Sequence, residues 1–231
     1  MEAISFRIPG LFALFGAFLY ALGDVLLLAG KASLDDYPNL KPYAKLLSDV
    51  ERMVALSPRR MMWGALLGVF STPLILAGFW LVYRGLGGGN DWGALTVFGL
   101  FGTASVIGGF VHGSFYYMGE YVQALNKVEE HSRAVIAEMF ARHRKVMLIT
   151  YAPLMLFVVI ASVLFSILVA SGGTMFPAWM TAINPVTMTI AWMLVKRVLP
   201  LYIRDRTEGA AFNIAYFIFF AFATIILWNR S

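Results

Sequence analysis

Apolar and polar positions divide the chain into six long apolar runs separated by short or charged connections, covering roughly residues 9–29, 61–83, 92–118, 147–171, 177–195 and 209–228. At 1.5 Å of rise per helical residue, each run is long enough to cross a hydrocarbon core about 30 Å thick. The pattern predicts an all-α integral membrane bundle of six transmembrane helices. No Pro/Ser-rich linker or shift in composition splits it, so residues 1–231 read as a single transmembrane domain.

Two connections carry helical spacing of their own. Over 121–146, Val122, Leu125, Val128, Val135, Met139 and Phe140 recur at helical intervals, and Glu129–Arg133 and Glu138–Arg142 have the favourable i,i+4 order. This segment is expected to prolong the third span and turn into the fourth. Over 40–56, Leu40, Tyr43, Leu46, Leu47, Val50, Met53 and Val54 form a comparable stripe. Both stripes are expected to pack on the bundle or lie on the membrane surface. Ser57-Pro58 then reads as an N-cap with proline at the first helical position. The glycine run at 85–91 has no lysine or serine at P-loop spacing and reads as a flexible turn.

Composition agrees with the pattern. The chain is 60% hydrophobic and 13% charged, with a mean hydropathy of +0.74, whereas soluble domains carry about 25% charged residues. Fifteen of the eighteen Lys and Arg residues fall in connections 30–60, 119–146 and 196–208; the others are Arg7, Arg84 and Arg230. The positive-inside rule places the basic connections in the cytoplasm and both termini outside. All six tryptophans lie near predicted span ends, where amphipathic rings prefer to sit. The expected location is the plasma (inner) membrane of a bacterium. The first apolar run lacks a small-residue cleavage pattern and is read as a retained helix.

The net charge of +5 is therefore a topology signal and does not point to nucleic acid. Arg59–Arg60, Arg142–Arg144–Lys145 and Lys196–Arg197 flank spans, where they would meet anionic head groups of the membrane lipids.

Small residues mark the contact faces expected of helices packing in lipid. They are Ala13, Ala17 and Ala21 in the first span, Gly64 and Gly68 in the second, and Gly109 and Gly113 in the third. The third also holds Gly99, Gly102, Ser105 and Gly108, and is expected to be the central helix. Thr72-Pro73 and Asn184-Pro185 are expected to kink their helices.

Chemistry is concentrated in a few polar groups at membrane depth. Asp24 lies about five residues inside the cytoplasmic end of the first span, His112 at similar depth in the third, and Asn213 about four residues into the sixth. An aspartate at a helix centre costs about 2.5–3.5 kcal/mol on insertion scales, so it must be neutral, paired or facing water. His112, Tyr116 and Glu120 are successive i,i+4 neighbours, forming a ladder suited to a proton path or an acid–base site. Tyr20 and Tyr216 are placed to complete the lining.

The absence of cysteine removes thiolate metal sites and thiol catalysis. His112 is the sole histidine in a predicted span, which argues against a metal site and bis-histidine haem; no span holds a lysine for a retinal Schiff base. No cofactor is expected.

Gly23-Asp24, the stretch LGVFSTPLILAGFWLVYRGL at 67–86 and G-x-x-H-G-S-F at 109–115 resemble an uncharacterised family of small microbial multi-pass membrane proteins. The resemblance covers the first half of the chain and implies a multi-pass fold without implying an activity.

The sequence reading is a multi-pass protein that binds or transports a small or lipophilic molecule through a polar intramembrane pocket. The site residues are Asp24, His112, Tyr116, Glu120, Asn213 and Tyr20, with Asp24 and His112 the candidates if the site is catalytic. Alternatives are a membrane-embedded acid–base isomerase or cyclase acting on a lipid or isoprenoid, and a scaffold or assembly factor without a ligand.

Overall fold

The computed structural model describes residues 6–30, 32–87, 91–207 and 209–230. It is helical, with no strand among the described residues. The long helices are α1 (Arg7–Leu28), α3 (Pro58–Gly85), α4 (Trp92–Lys127) and α5 (Glu130–Ser171), all four long and apolar enough to cross a membrane. Among the described residues there are also four shorter α-helices: α2 (Ala44–Leu47), α6 (Pro185–Val195), α7 (Leu201–Arg206) and α8 (Ala211–Leu227). Residues 88–90 of the glycine-rich turn, and the first five residues, lie outside the described set.

Packing runs α5–α4–α3–α1–α8, and α6 bridges α8 back to α5. Helix α3 packs on α1, α4 and α8, while α4, the expected central helix, packs on α3 and α5 and also reaches α1 through His112–Asp24 and α8 through Phe101–Phe219. Small residues shape the contact between α1 and α3. A Cβ on Gly16 would meet the Leu74 side chain at 2.7 Å, and one on Gly23 would meet the Gly64 carbonyl at 2.7 Å. These notches let α1 and α3 approach closely. Gly99 on α4 has nothing within 4 Å of a built Cβ and serves no contact.

Helices α4 and α5 measure about 54 and 63 Å at helical rise, so they project beyond the apolar zone at the end carrying the basic connections, called here the basic end. There α4 stops at Lys127 and α5 begins at Glu130, the continuation and turn expected over 121–146. Arg142 Nη1 donates to Glu138 Oε1 at 2.7 Å, while Glu129 pairs with His131.

The 40–56 stripe does not form one helix. It folds into 3-10 turns at Pro38–Tyr43 and Glu51–Ala55 around the single turn α2, with Asp49 at φ 76° breaking the run. Its apolar residues Leu40, Leu47, Val50 and Met53 are nevertheless buried against α4 and α5 residues such as Val122, Leu125 and Phe140. Gln123 of α4 anchors the segment by donating to the Leu56 carbonyl at 2.6 Å. Ser57 caps α3, accepting from the Arg60 N–H at 3.3 Å, with Pro58 first in the helix.

The expected fifth span is interrupted. Residues Ala178–Ala182 form a 3-10 turn, and α6 spans eleven residues, about 16 Å at helical rise. Asn184-Pro185 starts α6 instead of kinking a longer helix. The Asn184 side chain accepts from Val186 and Thr187 N–H groups at 3.0 Å, and Thr187 completes a capping box. Asn184 also donates to Ser166 Oγ of α5 at 3.1 Å, tying this start to the bundle.

Candidate functional site

Three helices bring one polar cluster together. Asp24 on α1, His112 on α4 and Asn213 on α8 are 8%, 5% and 8% exposed. Asp24 Oδ1 lies 3.1 Å from His112 Nε2, and Asn213 Nδ2 donates to Asp24 Oδ2 at 2.6 Å. Both carboxylate oxygens are therefore engaged, as an acid buried at this depth requires. The carboxylate selects the tautomer of a neutral imidazole, since Nε2 must carry the proton to donate.

Glycine creates room for the imidazole. A Cβ at Gly68 would fall on the His112 ring, and one at Gly23 would meet His112 Cε1 at 3.0 Å. The ring thus fills a notch between α1 and α3. Tyr20 meets it edge-on, with centroids 5.0 Å apart at 84°. The Tyr20 hydroxyl lies 3.4 Å from Thr72 Oγ1, linking the cluster to α3. His112 Nδ1 is buried without a hydrogen-bond partner.

Arg60 of α3 takes no part in the carboxylate's pairing. Its guanidinium donates to the carbonyls of Leu26, Val25 and Ala29 at 2.9, 3.2 and 2.5 Å. It caps the end of α1, whose last turn has no basic residue of its own. Asp24 keeps His112 and Asn213 as its partners.

The cluster forms part of the wall of a cavity of about 300 Å³. Ile75, Ala104, Val111, Leu154 and Phe212 supply apolar wall; Tyr20, Tyr151 and Tyr216 add rings with polar tips. Ser48, Asp49 and Arg144 line it toward the basic end. Arg144 is held there by donating to the Leu46 carbonyl at 2.6 Å. Leu148 and Tyr151 also line the cavity while being 51% and 39% exposed, so its α5 wall reaches the outer surface of the bundle. One turn farther from the basic end the bundle is filled by aromatic rings. Phe79 stacks on Phe101 at 4.3 Å, and Phe219 meets Phe165 at 5.3 Å.

Of the residues singled out from sequence, Asp24, His112, Asn213, Tyr20 and Tyr216 all line this cavity. Tyr116 and Glu120 do not. Tyr116 lines a separate groove with Met62, Ala65 and Val69 of α3, and Glu120 is close enough to interact with its hydroxyl. An i,i+4 ladder drifts around the helix because four residues exceed the 3.6-residue turn, so its members need not share one cavity. The way toward the basic end is lined instead by Phe115, Met118, Val50 and Arg144. Sequence reading missed Tyr151, which nothing in its local pattern distinguishes, took Arg144 as a head-group contact, and took Gly68 as a helix-packing glycine alone.

A family model described as "Family of unknown function (DUF6796)" matches residues 1–230. The chain belongs to that family. DUF6796 carries no assigned activity in its description, in keeping with the resemblance to an uncharacterised family. No curated protein and no solved structure matches the chain.

Proposed function

We propose that this DUF6796 protein is a multi-pass protein of the plasma membrane that binds a small, mostly apolar molecule by its polar end. The basic end faces the cytoplasm in this reading, as the distribution of lysine and arginine favours. The last two apolar stretches of the chain, α6 with its preceding turn and α8, complete the crossing begun by the four long helices.

The observation that carries the reading is the buried Asp24 carboxylate, held between His112 and Asn213 on the wall of a 300 Å³ cavity. Placing a carboxylate at this depth is costly, and burying it beside a cavity gives that cost a use. A scaffold would need no such cavity. The aromatic packing at the far end makes this form a pocket open toward the basic end, as one state of a transporter would be.

The test is retention of a small molecule. Protein purified in lipid nanodiscs is denatured, and the released species are compared by mass spectrometry between the native chain and the Asp24→Asn and His112→Ala variants. The reading expects a species depleted in both variants; identical profiles would refute it.

One observation favours acid–base catalysis as a second reading: Asp24 and His112 are in direct contact beside a cavity whose α5 wall reaches the bundle surface, where a lipid could enter. Conversion of a lipid extract by the native chain but not by His112→Ala separates catalysis from binding alone.

A further inference from the structure

The cavity wall is chemically lopsided. Its deep part carries one carboxylate, Asp24, and no lysine or arginine among the described lining residues. Asp24's partners are a neutral amide and an imidazole. The one described lining arginine, Arg144, lies seven residues before Tyr151 on α5, about 10 Å nearer the basic end at helical rise. There Asp49 lines the same rim and the Lys45 and Leu46 carbonyls accept from Arg144.

Around Asp24 the wall is aromatic: Tyr20, Phe115, Tyr151, Phe212 and Tyr216. Aromatic faces attract cations, most strongly when water is excluded, and quaternary ammonium groups are held this way. A carboxylate oxygen engaged in one hydrogen bond retains further acceptor capacity. A deep anion, ring faces and apolar walls together select a positive head on an apolar body.

Resting on the binding reading above, we infer that the ligand is a lipophilic monocation, an amine or quaternary ammonium compound, whose charge sits against Asp24 and the surrounding rings. An anionic or neutral amphiphile would leave the buried carboxylate uncompensated.

The test uses three single-chain probes of similar size: decyltrimethylammonium, decanol and decanoate. Saturable binding of each labelled probe is measured on the full chain in nanodiscs and corrected against empty nanodiscs. The cation is expected to bind at least about tenfold tighter than decanol, with decanoate weakest, and Asp24→Asn should abolish that preference. Equal affinity for cation and decanol overturns the cation assignment while leaving the pocket reading intact. No saturable binding of any probe refutes both. If Asp24→Asn does not fold, exposed Tyr151 decides: cation affinity should fall several-fold in Tyr151→Leu and persist in Tyr151→Phe, and equal affinities in the two overturn the proposal.

Discussion

Asp24 and His112, 88 residues apart in the chain, meet with Oδ1 and Nε2 at 3.1 Å inside the bundle. The contact joins α1 to α4 across the notch left by Gly23 and Gly68, and Asn213 extends it to α8. Structure and site therefore depend on the same few atoms.

Asp24→Ala removes the acceptor of two buried donors at once. Each orphaned group costs about 1–3 kcal/mol, so a lowered unfolding temperature in detergent is expected, with a smaller drop for Asp24→Leu combined with Asn213→Leu and His112→Leu. An Asp24→Ala variant as stable as the native chain would show that the hydrogen bonds are not formed.

Gly68→Ala places a methyl group on the His112 ring and should push the imidazole off Asp24. Gly99→Ala meets nothing within 4 Å and is the matched control. The first should shift the His112 imidazole resonances and impair ligand retention. The second should stay within about 0.5 kcal/mol of the native stability.

Arg60 holds three carbonyls at the end of α1. Hydrogen bonds to charged groups contribute about 1.5–3 kcal/mol, so Arg60→Ala should loosen the last turn of α1, seen as faster amide exchange there. Arg60→Lys should recover part of the protection, because an ammonium lacks the guanidinium's forked geometry.

At the basic end, the ammonium of Lys41, 2.8 Å from Asp35, holds that carboxyl below the usual carboxylate range. Since the folded value is the depressed one, the pair contributes above the ordinary carboxylate range and is lost as pH falls through the folded value. An NMR titration of Asp35 should show a depressed midpoint that returns toward the ordinary one in Lys41→Ala.

The chain has no cysteine, so single-cysteine labelling can read the orientation cleanly. Lys127→Cys, at the basic end, should react with an impermeant maleimide only after cells are opened, and Ser171→Cys from outside. The reverse pattern would invert the proposed topology.

What was legible from the chain alone was local. A helix in lipid satisfies its backbone within itself, so the apolar runs located α1, α3, α4, α5 and α8 without knowledge of their neighbours. Counting residues also put Asp24, His112 and Asn213 at one depth, because helical rise is constant. Hydropathy misread 177–195, where the cap formed by Asn184 divides an apolar run that composition leaves whole. It also misread 40–56, where 3-10 turns satisfy the same apolar spacing as a helix.

Rotation and proximity came from tertiary packing. Depth follows from position along one helix, but which side chains face each other depends on how helices roll and cross, and that is set by close packing between surfaces distant in sequence. Hence His112 is joined with Asp24 while Tyr116 and Glu120, a turn and two turns away on the same helix, lie outside the cavity. Gly68 reads as a packing glycine in the sequence and is the seat of the imidazole in the fold. Local hydropathy and helical rise set the helices and the depth of their polar groups; the crossing of α1, α3 and α4 makes those groups a site.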